Sequence, residues 1–457
     1  MQQPLRRFLV ALALLGGCSG TTAASAEQAP AVRPAPPAQG MPVPPLTFPA
    51  DSLKARATVP TRPGIAVLLE DSLALIAGKR VALLTNQNGV DAAGISDIDR
   101  LFADPAAKAA KVQLVRLFAP EHGIRGTEDR INIGNEIDQK TGLAVISLYG
   151  RVPMPPPDSL LRDVDVLVVD LQDLGARPWT FPASMLYALR AAAKNKLRII
   201  VLDRPNPIGG HIVEGPIADS ALTNHEVHAP PKMARPTAIY PVPLRHGLTM
   251  GEMARFYNSV LGLGADLRVM PAAGWRRAAW FDETGLPWIR PSPNMPSLIS
   301  AMLYPGMVAF EPTNVSVGRG TPTAFQLIGA PWMNPARVLA LLDTIPMAGV
   351  RLAAEDFTPQ KPGDSKYDGR VVRGLRITVT DREQLRSVSL FASLFWAIAK
   401  AHPDSLKVRD EGFDRTFGPA ALRQALLAGE SPRAVLARDS AAVTAFRRRV
   451  APFLLYR

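Results

Sequence analysis

Three short runs place a carboxylate close to arginine and glycine. They are Ala119-Pro120-Glu121-His122-Gly123-Ile124-Arg125-Gly126, Asp170-Leu171-Gln172-Asp173-Leu174-Gly175-Ala176-Arg177 and Asp203-Arg204-Pro205-Asn206-Pro207-Ile208-Gly209-Gly210. Carboxylates gathered in one place push each other's pKa values apart, so that one group can hold a proton at neutral pH while another accepts one. That is the equipment of general acid–base catalysis, and it points to a hydrolase. Asp170 and Asp173 stand at i, i+3 and are not expected to share a role; one of them is expected to pair with Arg177. A zinc site would need about three protein ligands in suitable geometry. The six histidines are scattered and form no His-x-x-x-His pair, with His225 and His228 in a Pro-rich loop. No metal or other cofactor is therefore expected.

Each acidic run follows an apolar one. Residues 80–86, 112–118, 143–149, 164–169 and 198–202 are short and rich in β-branched residues, the pattern of strands buried on both faces. Helical patterns lie between several of them, at 96–103, 158–163 and 183–196. Alternating strands and helices predict an α/β fold built on a parallel, Rossmann-like open sheet. Ligands of such sheets sit beyond the carboxyl ends of the strands, so the three acidic ends should meet on one rim. No Gly-x-Gly-x-x-Gly follows the first strand, and a dinucleotide site is not supported.

The second half reads as a further α/β domain. Thr249 and Glu252 have capping-box spacing, which predicts a helix from Met250 to Val260 and explains both residues without chemistry. Residues 291–296 must form a rigid irregular loop. Residues 307–310 read as a strand, followed by Glu311-Pro312-Thr313-Asn314-Val315-Ser316-Val317-Gly318-Arg319-Gly320-Thr321, whose polar residues no hydrophobic period explains. A strand is expected at 371–380, a helix at 384–401, and an Arg-rich helical remainder.

The chain has 457 residues and a net charge of +12. Arg6 and Arg7 precede an apolar run from Phe8 to Leu15, too short to span a bilayer and suited to a signal peptide. Leu15-Gly16-Gly17-Cys18 then resembles a bacterial lipobox, with the single cysteine at the lipidation position. Residues 19–63 carry ten prolines and cannot bury enough apolar surface to fold. The expected organisation is therefore a signal peptide at 1–17, a lipidated Cys18 and Pro-rich tether at 18–63, a Rossmann-like domain at 64–235 and a C-terminal α/β domain at 236–457. The expected location is that of an exported lipoprotein facing the periplasm, on the outer membrane where the cell has one. Arg447-Arg448-Arg449 is too short a basic run to indicate nucleic acid. Nothing in the sequence gives an oligomeric state.

Seven motifs in order carry a resemblance over roughly residues 64–457: Phe118-Ala-Pro-Glu-His-Gly-Ile-Arg125, Asp170-Leu-Gln-Asp-Leu-Gly-Ala-Arg177, Leu202-Asp-Arg-Pro-Asn-Pro207, Glu214-Gly-Pro216, Arg245-His-Gly-Leu-Thr249, Ser292-Pro-Asn-Met-Pro296 and Thr313-Asn-Val-Ser-Val-Gly-Arg-Gly-Thr321. The chain resembles the NamZ-type family of bacterial exo-β-N-acetylmuramidases. The resemblance implies a Rossmann-like domain, a second α/β domain, a cleft between them, and release of N-acetylmuramic acid from the non-reducing end of peptidoglycan fragments. It places the catalytic glutamate at Glu121. Pro178-Trp179, Glu311-Pro312 and the stretch from Thr127 to Glu136 depart from the family's usual forms.

Glycosidic cleavage needs an acid on the leaving oxygen and a nucleophile or activated water at the anomeric carbon. Glu121 is the candidate acid, with His122 either orienting it or bonding backbone. Asp170 and Asp173 are candidates for the base or for binding sugar hydroxyls, and Glu311 is a further candidate from across the cleft. The lactyl carboxylate of muramic acid calls for a bidentate arginine, for which Arg177, Arg204, Arg245 and Arg319 are the choices. Arg125, His246, Asn206, Asn294 and Asn314 complete the candidate binding residues. Two other readings remain open at this point. One is a lipoprotein that holds muropeptide without cleaving it. The other is a metal-dependent hydrolase using Asp170, Asp173 and His122.

Overall fold

The apolar runs assemble as the alternation of strand and helix predicts. A computed structural model describes residues 60–124, 134–150, 154–223 and 239–457. Its main sheet has seven strands: β1 (Arg80–Thr85), β2 (Gln113–Ala119), β3 (Glu136–Ile137), β4 (Ala144–Ser147), β5 (Val166–Asp170), β6 (Arg198–Leu202) and, after the small pair β7 (Glu214–Ile217) and β8 (Pro243–Arg245), β9 (Asp266–Met270). Their order is β3-β4-β2-β1-β5-β6-β9. All neighbours are parallel except β3, which runs against β4. Without β3 this is the doubly wound order, in which the chain builds outward on one side of β1 and then on the other.

Side chains alternate between two apolar clusters on the two faces of this sheet. Val81, Leu83, Val166, Val168, Ile200 and Leu202 lie in one. Ala82, Leu84, Leu167, Val169, Ile199 and Val201 lie in the other. Both faces are thus dry, as a parallel sheet requires. The second cluster runs on through Phe310, Phe391, Phe395 and Phe413 of the second half, so that half packs on the sheet without an aqueous layer between them.

The second half carries a three-stranded antiparallel sheet in the order β10 (Leu327–Ala330), β12 (Arg373–Val379), β11 (Val350–Ala354). Helix Ser387–Ala401 lies at its centre and meets helix Leu298–Met307 closely. A Cβ at Gly306 would fall 1.9 Å from the Ser387 carbonyl oxygen, so only glycine allows this approach.

Two expectations are corrected. Residues 308–310 form a 3-10 turn that continues helix Leu298–Met307, where the sequence predicted a strand at 307–310. A short, wholly buried apolar run has the same composition in either state, and here the preceding helix decides. The main sheet also extends past residue 235, the boundary expected between the halves, because β9 pairs with β6.

Candidate active site

Glu121 stands two residues beyond β2, in a turn whose backbone is left-handed at His122 (φ 72°) and Gly123 (φ 73°). A histidine in this region is held there by its surroundings, and such strain collects at functional sites. The His122 side chain is buried. Glu121 itself is half-buried, and both its oxygens are occupied by hydroxyl groups. Tyr149 Oη donates to Oε1 at 2.7 Å and Thr180 Oγ1 donates to Oε2 at 2.5 Å. β4 brings Tyr149 there, since it pairs with β2 up to Ala119 and Ser147 and ends two residues before the tyrosine. Thr180 is the N-cap of helix Phe181–Lys194, yet its hydroxyl makes no cap bond and serves Glu121 instead. A hydroxyl can donate or accept, so both partners suit the charged and the protonated carboxyl.

The other two acidic strand ends are not free. Asp170 is fully buried, and both its oxygens are taken by Arg204, at 2.5 Å to Nε and 2.8 Å to Nη2. Arg204 also donates to the Val90 carbonyl. Asp97 lies beside this pair; burial, and after it the Asp170 charge, pushes its carboxyl well above the usual range. Asp203 accepts from Gly251 N, Thr249 Oγ1 and Tyr456 Oη. Burial lifts its pKa to about 6. The sequence expectation of three acids on one rim holds for the backbone. Of the three, only Glu121 is not fully buried.

Asp173 does not pair with Arg177. It accepts from Gly175 N at 2.6 Å, and its second oxygen has no partner among the described residues. His246 Nε2 stands 3.5 Å from the bonded oxygen. Leu248 N donates to Nδ1 of the same ring, so the proton of the neutral imidazole sits on Nε2, which makes no hydrogen bond among the described residues. Burial raises Asp173 to about 7 and, with the Arg177 charge adding, lowers His246 to about 3.

Arg177 is a staple. Its guanidinium donates to the carbonyls of Pro216, Val242, Thr416 and Phe417, tying the first half to the last helices. Arg245 is wholly buried, with Glu214 at 3.6 Å and the Trp280 ring at 5.6 Å. Asn206 bonds Leu248 O and Ile208 N, and Asn314 bonds Ser405 O and Lys407 N, so both hold loops together. Asn294 is buried in the 291–296 loop, with its N–H on Ser292 Oγ. Arg125 and Cys18 lie outside the described residues.

The second half reaches Glu121 through aromatic rings. Trp179, next to Thr180, meets Tyr304 edge-on at 5.7 Å, and Tyr304 meets Phe325 at 5.0 Å. Arg319 lies over Phe325 at 5.5 Å and pairs with Glu311. The Tyr304 hydroxyl donates to Pro178 O. Burial raises its pKa, and the charges of Glu311, Glu121 and Asp173 add to that shift while Arg319 opposes it. Glu121, Asp173, Glu311 and Arg319 thus all act on the Tyr304 hydroxyl. Among the described residues no three His, Cys, Asp or Glu side chains are placed to share a metal ion.

Sequence reasoning did not find Tyr149, Thr180, Tyr304 or Phe325. For Tyr149 a signal existed, since it ends an apolar run next to the strand that delivers Glu121. Tyr304 sits inside an apolar helix, and nothing in its spacing separates it from core.

Comparison with known proteins completes the picture. Residues 81–299 match the N-terminal model and residues 302–456 the C-terminal model of exo-β-N-acetylmuramidase NamZ. The chain is 36% identical over 395 residues to the peptidoglycan β-N-acetylmuramidase NamZ of Bacillus subtilis (strain 168), covering 86% of this chain and 91% of that one. It is also similar to crystal structures of two DUF1343 family proteins of Bacteroides fragilis NCTC 9343. The first has TM-score 0.76 and 31% identity, over 87% of this chain and 100% of that one. The second has TM-score 0.69 and 27% identity, over 87% and 99%. With the doubly wound sheet, the glutamate beyond β2 and both family regions in order, this chain belongs to the NamZ family of exo-β-N-acetylmuramidases.

Proposed function

We propose that this protein is a glycosidase that removes N-acetylmuramic acid from the non-reducing end of peptidoglycan fragments, in cell-wall turnover and recycling. The observation that carries the reading is Glu121: of the three acidic strand ends it alone stays half-exposed, held at both oxygens by hydroxyl groups. Glu121 gives its proton to the glycosidic oxygen as the C–O bond breaks, and the Tyr149 and Thr180 hydroxyls fix its direction throughout. Positive charge grows at the anomeric carbon and needs a nucleophile or an activated water. Glu311, 28% exposed, and Asp173 are the carboxyls that share with Glu121 an influence on the Tyr304 hydroxyl, and they are the candidates for that role. Asp170 does not serve here, because Arg204 occupies both its oxygens. The same commitment weakens the reading of a metal site built from Asp170, Asp173 and His122.

The N-terminal sequence supports export and lipidation at Cys18, with residues 19–63 as a tether that lets the enzyme reach wall fragments from a membrane facing the periplasm.

The test takes the chain from residue 60 onward and its Glu121→Gln variant with a chromogenic β-N-acetylmuraminide, with and without EDTA. Wild type is expected to release chromophore in both conditions. The variant is expected to lose about 10³-fold in kcat at unchanged melting temperature. A wild type that binds muropeptide but cleaves neither this compound nor its glucosaminide and phosphate analogues would return the protein to the class of binding lipoproteins.

A further inference from the structure

Four arginines could read a carboxylate on the substrate, and the structure separates them. Arg177, Arg204 and Arg245 are 3%, 5% and 0% exposed, the first two with their donors committed to carbonyls or to Asp170. Arg319 keeps 20% of its side chain exposed. Its Nε donates to Glu311 Oε1 at 2.8 Å, and its Nη2 meets the same oxygen at 2.6 Å. One carboxylate oxygen therefore holds one edge of the guanidinium. The opposite edge, formed by Nη1 and the second Nη2 proton, meets no carboxylate among the described residues.

Everything around Arg319 fixes its plane and charge. It stands between Gly318 and Gly320, both left-handed (φ 74° and 78°), and a Cβ at Gly320 would fall 2.7 Å from the Gln360 carbonyl oxygen. The Phe325 ring lies beneath it. Burial works against its charge, and the Glu311 carboxylate outweighs burial and raises its pKa. Close by, Lys366 Nζ donates to the carbonyls of Glu311 and Val315, and Arg409 Nη2 donates to Glu311 O. Lys366 and Arg409 thus stand with Arg319 around Glu311, with Asp364 near Arg319 and Lys366. A planar guanidinium with one edge held and the other open suits a bidentate carboxylate.

We propose that the free edge of Arg319 binds the lactyl carboxylate of N-acetylmuramic acid, with Glu311 as the residue that positions the guanidinium. The inference rests on the muramidase reading above and deepens it. The lactyl ether is the group that distinguishes muramic acid from N-acetylglucosamine, so Arg319 sets the choice of sugar. The buried rings of Phe325 and Tyr304 connect this reader to Trp179, the neighbour of Thr180.

The experiment compares wild type, Arg319→Gln and Arg319→Lys on the chromogenic β-N-acetylmuraminide and the matching β-N-acetylglucosaminide. Calorimetry with free N-acetylmuramic acid and N-acetylglucosamine runs beside it. Arg319→Gln is expected to lower kcat/KM for the muraminide by about 10- to 100-fold, the worth of one charge-assisted pair. The glucosaminide should be nearly unaffected, so selectivity falls by the same factor. Arg319→Lys keeps the charge without the fork and should recover only part of the loss. Binding of N-acetylmuramic acid should weaken in parallel, which reads the contact apart from catalysis. A folded variant that keeps its selectivity, or loses both substrates equally, overturns the assignment while leaving the activity standing. A wild type that cleaves neither sugar overturns the activity and the assignment together.

Discussion

The carboxyl ends of β2 and β5 start from the same recipe and end as opposites. Each apolar strand runs into an acid, with arginine and glycine close behind. At β2 the acid, Glu121, is half-exposed and touched by two neutral hydroxyls. At β5 the acid, Asp170, is fully buried and clamped by Arg204, two residues past the end of the neighbouring strand β6. Asp203 itself is covered by Thr249, Gly251 and Tyr456. What decides the outcome is the neighbouring segment laid over each strand end. Over β5 and β6 it brings a cation or a set of buried donors, which turns an acid into scaffold. Over β2 it brings Tyr149 and Thr180, which hold an acid without fixing its charge.

The contrast can be broken first at β5. Asp170→Asn keeps the shape and removes the charge, leaving Arg204 buried without its counterion. Breaking a buried pair this way costs about 3–5 kcal/mol. The lower end is expected, because Asp97 lies close enough to ionise in place of Asp170. Thermal and urea unfolding should show this loss, and the surviving folded fraction should keep its kcat. Glu121→Gln should do the reverse. If Asp170→Asn removed activity at unchanged stability, the division between scaffold and reactive acid would fall.

Asp173 lies between the two types. Its carboxyl is buried like Asp170 but lacks a cation, and burial lifts it from 3.8 to about 7. A folded-state pKa above the unfolded one means that the group's contribution to stability is complete below about pH 4 and is lost as pH rises through 7. Asparagine imitates the protonated acid and cannot ionise. Asp173→Asn should therefore gain on wild type by about 3 kcal/mol as pH rises from 5 to 8. His246, lowered to about 3, tends the other way by losing stability as pH falls below its ordinary range. That tendency is common to both proteins and cancels in the difference. Urea unfolding of both at pH 5 and pH 8 measures it. Parallel curves would mean that Asp173 is ionised throughout and held by a partner.

Much of this was legible in the sequence. The five apolar runs became β1, β2, β4, β5 and β6, with ends within a few residues, because buried parallel strands leave a plain hydrophobic signature. Thr249 and Glu252 formed the predicted capping box around a helix from Met250 to Val260. The fate of each charged side chain was less legible, since it depends on contacts far apart in the chain. Arg177 follows the Asp170 motif in sequence, yet its partners are carbonyls 39 to 240 residues away. Asn314 stands in a polar loop that invites a ligand, yet it spends both ends of its amide on residues 405 and 407. A motif fixes which residues travel together; only packing tells which of them face solvent.

The finest test of the contrast is Tyr149→Phe. It removes one hydroxyl from Glu121 and leaves the ring, whose body is buried, in place. Thr180 still holds the other oxygen. If the hydroxyls orient the acid, kcat should fall by about 10-fold, the worth of one hydrogen bond to a charged group, with KM and melting temperature nearly unchanged. A larger loss, approaching that of Glu121→Gln, would give Tyr149 a part in the chemistry itself. No loss would mean that Thr180 and the left-handed turn at His122 hold the carboxyl by themselves. The strand end of β2 would then be a site made by its backbone, as far from the arginine-clamped end of β5 as one sheet allows.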